Sequence, residues 1–206
     1  MATTDKLSSV LGTRSQLPNQ ELAKEIAAKN DKKAVQELVD NLNNKTIQSD
    51  CIKVLYELGE IKPELIAGYA KEFIAQLDSN NNRMQWGAMT ALNHIALENA
   101  KLIYGVIGKI VDIADKGSVI TRDHCVGILI KLAAVKQYTE NAFELLLEQL
   151  KSCPSNQLPM YAEHALPIIN TKNKAGFIKV LTSRLNDFDK ETKKLRVEKL
   201  IKKLNK

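Results

Sequence analysis

The feature that most constrains the fold is an apolar pattern that occurs five times along the chain, with a period of about 36 residues. The copies end at Leu42, Leu77, Ile113, Leu150 and Leu185. Each of these residues has apolar residues seven positions before it and, except in the last copy, three positions before it. This i, i+4, i+7 spacing places side chains on one face of a helix. The pattern therefore predicts five helices, each with one buried face.

A second apolar pattern follows each copy of the first. It starts at Cys51, Ala88, Cys125, Ala162 and Val197, and large apolar residues follow four and seven positions later. Short polar links rich in Asn, Asp and Ser join the two patterns, as is typical of helix caps and turns. Each unit therefore reads as helix, turn, helix. One such pair cannot bury its own apolar face, so the repeat predicts pairs that stack on their neighbours.

These patterns predict an all-α fold of about five helix pairs. The predicted units cover approximately residues 31–60, 61–98, 99–135, 136–171 and 172–206. Residues 17–29 read as a helix that caps the first pair, and residues 1–16 are polar and irregular, which predicts a flexible segment. We expect residues 17–206 to form a single repeat domain. Pro167 falls within a predicted helix, and it indicates either a kink or a shorter fourth pair.

Two segments carry a resemblance to a known family. Residues 82–92, NRMQWGAMTAL, resemble the second helix of a HEAT repeat, and residues 118–132 are similar, with Arg122 at the Arg position of the family. At this Arg position the other units have Gln48, Pro159 and Lys194, and residues 82–92 have Gln85. The proline that is usual in the first helix of a HEAT repeat is missing. The resemblance covers roughly residues 31–206. It implies a right-handed α-solenoid of the HEAT-like or armadillo type, in which the second helices line a concave face that binds partners.

Composition and motifs favour a soluble protein without catalytic chemistry. The chain lacks the apolar run of a signal peptide or membrane span, and its three cysteines form no paired framework, which together indicate the reducing cytoplasm. None of the familiar catalytic or nucleotide-binding motifs is present. The three histidines fall at different positions of their units, which disfavours a shared metal ion. We therefore expect no enzyme activity, no cofactor and no membrane partner.

The second helices offer a candidate binding surface on the side opposite their buried positions. Its residues are Lys53, Tyr56, Trp86, Asn93, His94, Asp123, Lys131, Met160 and His164. Trp86 is the single tryptophan, and an exposed aromatic side chain there would anchor a partner. The alternative is that Trp86 packs against the next unit and is mostly buried. Because the same positions include apolar residues, the surface favours a protein or peptide partner, or a second copy of the chain, over a purely ionic one.

The net charge of +6 permits a contact with nucleic acid without requiring one. The last predicted helix, residues 190–206, is rich in lysine. Lys199, Lys202 and Lys203 either form the solvated outer face of a terminal cap or contact an anionic partner. A second resemblance, in architecture alone, is to DNA glycosylases that act on alkylated purines and are built from HEAT-like repeats. It implies a DNA-binding or DNA-repair alternative, in which Trp86 and Asp123 mimic part of the cleft.

Overall fold

The computed structural model describes residues 2–205, and these residues form twelve α-helices, several short 3-10 turns and no β-strand. The helices are α1 (Leu17–Lys29), α2 (Lys32–Asp40), α3 (Gln48–Ile61), α4 (Ala70–Gln76), α5 (Asn82–His94), α6 (Ala100–Gly105), α7 (Ile107–Lys116), α8 (Val119–Ala133), α9 (Thr139–Ser152), α10 (Leu158–Ala165), α11 (Lys174–Ser183) and α12 (Glu191–Leu204). The predicted all-α class is therefore confirmed.

The chain divides into two compact units, Met1–Cys125 and Val126–Lys206, with the boundary inside α8. The sequence predicted one domain over residues 17–206, and that expectation stays a prediction. We call the two parts the N-terminal unit and the C-terminal unit.

In the N-terminal unit, α3 packs against α1 on one side and against α5 on the other. The helices α2 and α4 pack against α3 and α5, respectively, so the first two predicted pairs are present. Local capping explains where these helices begin. The Asp31 carboxylate accepts hydrogen bonds from the amides of Lys33 and Ala34 at the start of α2, and Asn81 does the same for Arg83 at the start of α5.

Small residues allow α3 and α5 to approach closely. Gly87 on α5 faces Ile52 on α3, and a Cβ atom at Gly87 would lie 2.8 Å from Ile52 Cγ1. A Cβ atom at Gly59 on α3 would lie 3.2 Å from His94 Cβ on α5. Cys51 and Ala88, the small starting positions of the second pattern, are fully buried. The two helices therefore meet along faces where larger side chains would separate them.

The sequence predicts a flexible segment over residues 1–16, and residues 2–16 make defined contacts in the structure. Within residues 2–16, the side chain of Leu7 is completely buried. The Glu37 carboxylate on α2 accepts hydrogen bonds from the amides of Thr3 and Thr4, each at 3.0 Å. Burial raises the pKa of Glu37, but the hydrogen bonds from Thr4 and Thr3 outweigh burial and lower it to about 2. One buried leucine and one ionised carboxylate therefore hold this segment on α2.

A buried polar cluster fixes the next part of the same segment. Asp50 on α3 accepts hydrogen bonds from the amide of Ser9 at 2.8 Å and from Asn19 Nδ2 on α1 at 2.9 Å. Asn19 Oδ1 accepts from the amide of Ser8 at 3.0 Å. Asn19 and Asp50 are both buried, so these bonds replace the water that the two side chains lose on folding. The carboxylates of Glu37 and Asp50 thus satisfy backbone amides of residues 3–9.

The C-terminal unit contains two helix pairs that lie side by side. The helix α9 packs against α10 and α11, and α12 packs against α10 and α11. Arg184, which follows α11, donates to the carbonyl oxygens of Leu150 at 2.7 Å, Lys151 at 2.8 Å and Cys153 at 3.0 Å. These carbonyls lie at the end of α9, where helical partners are missing. One guanidinium therefore ties the end of α11 to the end of α9.

Pro167 shortens the fourth pair. The helix α10 ends at Ala165, and a 3-10 turn covers Leu166–Ile168. Proline has no amide hydrogen, so Pro167 cannot donate the backbone hydrogen bond that would continue the α-helical pattern. Of the two alternatives that the sequence left open, the structure has the shorter pair.

Candidate functional site

The most distinctive surface group lies on α3 and α5 and consists of Lys53, Tyr56, Glu57 and Trp86, which we call the α3–α5 surface. The ring centroids of Tyr56 and Trp86 are 5.6 Å apart, and the ring planes are tilted by 53°. Lys53 Nζ lies 4.7 Å from the centroid of the Tyr56 ring and forms an ion pair with Glu57. All four side chains are half-buried. Two aromatic rings therefore stand partly exposed beside one balanced pair of charges.

Helical spacing produces this arrangement. Tyr56 and Glu57 lie three and four residues after Lys53, so one turn of α3 brings the three side chains together. Trp86 comes from α5, which the close contact at Gly87 holds against α3. The Thr90 hydroxyl donates to the carbonyl oxygen of Trp86 at 2.8 Å. The aromatic pair thus depends on contacts between residues about 30 positions apart in the sequence.

The electrostatics keep Lys53 charged. Burial lowers the pKa of Lys53, but its contacts with Glu57 and Tyr56 outweigh burial and raise that pKa above its ordinary value. Burial also raises the pKa of the Tyr56 hydroxyl. At neutral pH the surface therefore presents a lysine cation, a carboxylate and two neutral rings, with no net charge among these four residues.

The structure answers the question that the sequence left open about Trp86. Its side chain is half-buried and packs against the Tyr56 ring on the neighbouring helix. Sequence reasoning placed Tyr56 one helix away from Trp86, and the structure brings the two rings into contact. Glu57, which was absent from the predicted site residues, belongs to the group as the partner of Lys53. Its position four residues after Lys53 on a predicted helix is the sequence feature that indicates the ion pair.

A second group joins α5 and α8 within the N-terminal unit. Asn93 Nδ2 lies 3.1 Å from His124 Nδ1, and both side chains are half-buried. The predicted site residues His94 and Asp123 are half-buried as well. His124 was not among the predicted site residues, because its position directly before a core cysteine gave no sign of a contact with Asn93. This group holds two helices together by a hydrogen bond.

The remaining predicted residues lie in the C-terminal unit. Lys131 and Met160 are half-buried, whereas His164 is exposed. The side chains of Lys199, Lys202 and Lys203 are exposed on α12. The α3–α5 surface is complete without any of them.

Three further features concern the cysteine thiols, groups of metal-ligating side chains and the length of the helices. Burial raises the pKa of Cys51 and Cys125 to about 12, so both thiols stay protonated at neutral pH. Within residues 2–205, no three or more His, Cys, Asp and Glu side chains are grouped in a way that could hold a metal ion. Among the helices of this same range, none has the length and apolar character needed to cross a membrane.

Comparison with known proteins adds information on the fold. The chain is similar to the crystal structure of an engineered protein determined by the Northeast Structural Genomics Consortium, with a TM-score of 0.61 and 22% sequence identity. The match covers 99% of this chain and 98% of that one. No family model and no curated protein matches the sequence. At this level of identity the similarity concerns the fold alone, and the chain shares its overall fold with an engineered protein.

Proposed function

We propose that this protein is a non-catalytic interaction scaffold that binds a protein or peptide through the α3–α5 surface. The observation that carries the proposal is the partly exposed pair of Tyr56 and Trp86, held at 5.6 Å on two tightly packed helices. Tryptophan and tyrosine dominate the residues that contribute most to protein–protein binding. The two rings are the strongest anchor that the candidate site offers.

The proposed architecture is a right-handed α-solenoid of five HEAT-like helix pairs. Stacking within each unit supports it. In the N-terminal unit α1, α3 and α5 pack in series, and in the C-terminal unit α9 packs on α11 while α10 packs on α12. In such a solenoid the second helices form one continuous layer, which is the layer to which α3 and α5 belong.

The fixed geometry of the rings favours binding. Lys53 and Trp86 contact Tyr56, and Gly87 leaves no space between α5 and Ile52, so the rings are already ordered before a partner arrives. A side chain that is ordered in the free protein loses less conformational entropy on binding. We expect an apolar side chain of the partner to cover the exposed part of Trp86.

The charges of the surface favour a protein over DNA. Lys53 is paired with Glu57, so these residues present no excess of positive charge to a phosphate backbone. The proposed location is the cytoplasm. The three cysteines, Cys51, Cys125 and Cys153, are buried and form no disulfide within residues 2–205, which suits a reducing compartment.

The test is quantitative affinity capture from the cell that produces the protein, with the immobilised wild type and the double variant Tyr56→Ala/Trp86→Ala. The control is Tyr69→Ala, which removes a half-buried tyrosine whose hydroxyl contacts Gln36 on α2. We expect wild type and control to retain the same partner at raised salt, because apolar contacts are not screened. The double variant loses it. Equal recovery of all partners by the double variant would contradict the proposal, provided that circular dichroism shows it folded.

A further inference from the structure

The positive charge of the protein is concentrated in the C-terminal unit. Residues 126–206 contain 15 Lys and Arg against 8 Asp and Glu, whereas residues 1–125 contain 15 against 16. The net charge of +6 therefore arises entirely in the C-terminal unit. Such asymmetry between the two parts of a chain is typical of a protein that contacts a polyanion with one of them.

The helix α12 displays part of this charge on one face. Its apolar residues Val197 and Leu200 are buried, and the side chains of Lys199, Lys202 and Lys203 are exposed. Residues three and four positions apart lie on the same side of a helix, with Cβ atoms about 5–6 Å apart. Because burial of the apolar side fixes the rotation of the helix, these lysines form a stable surface, which we call the α12 lysine face.

Other cations of the same region have partners inside the unit. Both guanidinium nitrogens Nε and Nη2 of Arg196 donate to the Glu163 carboxylate, and Lys193 donates to the carbonyl oxygen of Asn156. In contrast, the salt bridges found within residues 2–205 include none of the three lysines of the α12 lysine face. The nearest acid in sequence, Glu198, is half-buried at the edge of this face. The face therefore keeps a positive excess.

We propose that the α12 lysine face binds the phosphate backbone of a nucleic acid without preference for base sequence. Lysine is a point charge that contacts phosphates, and phosphate contacts carry no sequence information. The helix α12 contains no aromatic residue on which bases would stack. The three lysines lie within five consecutive residues of one helix, so together they can neutralise neighbouring phosphates of a nucleic acid strand.

A membrane surface fits α12 less well. An interfacial helix buries its apolar face among lipid chains. In α12 that face is buried in the protein, and Leu195 is the exposed large apolar side chain. Leu195 lies four residues before Lys199 on the same side of α12, and one leucine offers little apolar area for insertion into lipid.

The experiment measures fluorescence anisotropy of a labelled mixed-sequence DNA duplex of roughly 20 base pairs, a length that covers several phosphate contacts. It compares wild type, Lys199→Gln/Lys202→Gln/Lys203→Gln, and a control, Lys24→Gln/Lys71→Gln/Lys101→Gln, which removes the same charge from exposed lysines of the N-terminal unit. We expect the affinity of the α12 variant to fall about tenfold or more at 0.1 M salt. For this variant we plot the logarithm of the binding constant against the logarithm of the salt concentration. The slope becomes shallower by about 0.9 for each phosphate that the variant no longer neutralises. The control matches the wild type.

Two further measurements identify the source of the phosphate. One is the same assay with an RNA duplex, and the other is sedimentation with vesicles of phosphatidylcholine and phosphatidylserine. Loss of either DNA or RNA binding in the α12 variant alone supports the proposal. The proposal is overturned if the wild type does not bind nucleic acid, or if the control loses as much affinity as the α12 variant. It is also overturned if the protein binds vesicles but not nucleic acid. Because the α12 lysine face and the α3–α5 surface share no residue, these outcomes leave the proposed protein-binding function unaffected.

Discussion

At the scale of single residues, the geometry of the candidate site depends on a position without a side chain, Gly87. Gly87 allows Ile52 to enter the space beside α5, and this contact sets how near α5 lies to α3. Ile52 is fully buried and branched at Cβ, so it has little freedom to move aside. The contact between Tyr56 and Trp86 follows from this spacing, because each ring stands on one of the two helices.

Gly87→Ala tests this dependence. The new Cβ atom would meet Ile52 Cγ1 at 2.8 Å, so the helices must separate or the core must repack. We expect a loss of about 1–2 kcal/mol in the free energy of unfolding, measured by urea denaturation, because overpacking outweighs the helix propensity of alanine. The control is Gly108→Ala in α7, where nothing lies within 4 Å of the new Cβ atom. If both variants gain stability, then the close approach of α3 and α5 does not depend on the glycine at position 87.

At the scale of elements, the N-terminal segment shows how a polar stretch becomes part of the fold. Its backbone amides are satisfied by carboxylates on helices, Glu37 on α2 and Asp50 on α3. Its one deeply buried apolar side chain, Leu7, packs in the N-terminal unit, while Val10 and Leu11 remain about half exposed. This segment adds contacts to the first helix pair from a part of the chain that lacks the repeat pattern.

Replacing a buried and an exposed leucine of this segment by alanine tests whether the segment is docked. Leu7→Ala removes a completely buried side chain, and we expect it to lower the free energy of unfolding by about 2–5 kcal/mol. Leu11→Ala removes the same atoms from a side chain that is 54% exposed, and the expected change is within about 0.5 kcal/mol. Thermal and urea unfolding of both variants measures the difference. Similar small effects would mean that the segment is not docked in solution.

At the scale of the whole molecule, the proposed solenoid and the charge distribution define two separate surfaces. The α3–α5 surface belongs to the N-terminal unit and carries no net charge on its four residues. The α12 lysine face belongs to the C-terminal unit, which supplies the entire positive excess of the chain. A scaffold with these two surfaces would bring a protein partner and a nucleic acid to the same chain.

The sequence by itself determined the helices and their approximate limits. The helix predicted over residues 17–29 is α1 (Leu17–Lys29), and the described residues are all-α, while the five stacked pairs stay a prediction. Apolar periodicity, polar links and Pro167 act over a few residues, so they are readable from neighbours in the chain. For the same reason the sequence placed Tyr56 and Trp86 on the side of their helices away from the buried positions, while leaving open whether Trp86 is exposed.

Only the tertiary structure decided which side chains meet. It brought the Tyr56 and Trp86 rings to 5.6 Å, joined Asn93 to His124, and attached residues 2–16 to Glu37 and Asp50. Each of these contacts links residues about 30 or more positions apart in the sequence. Their distances depend on how closely whole helices pack, which no local pattern records, because packing is set by the shapes of all the side chains between them.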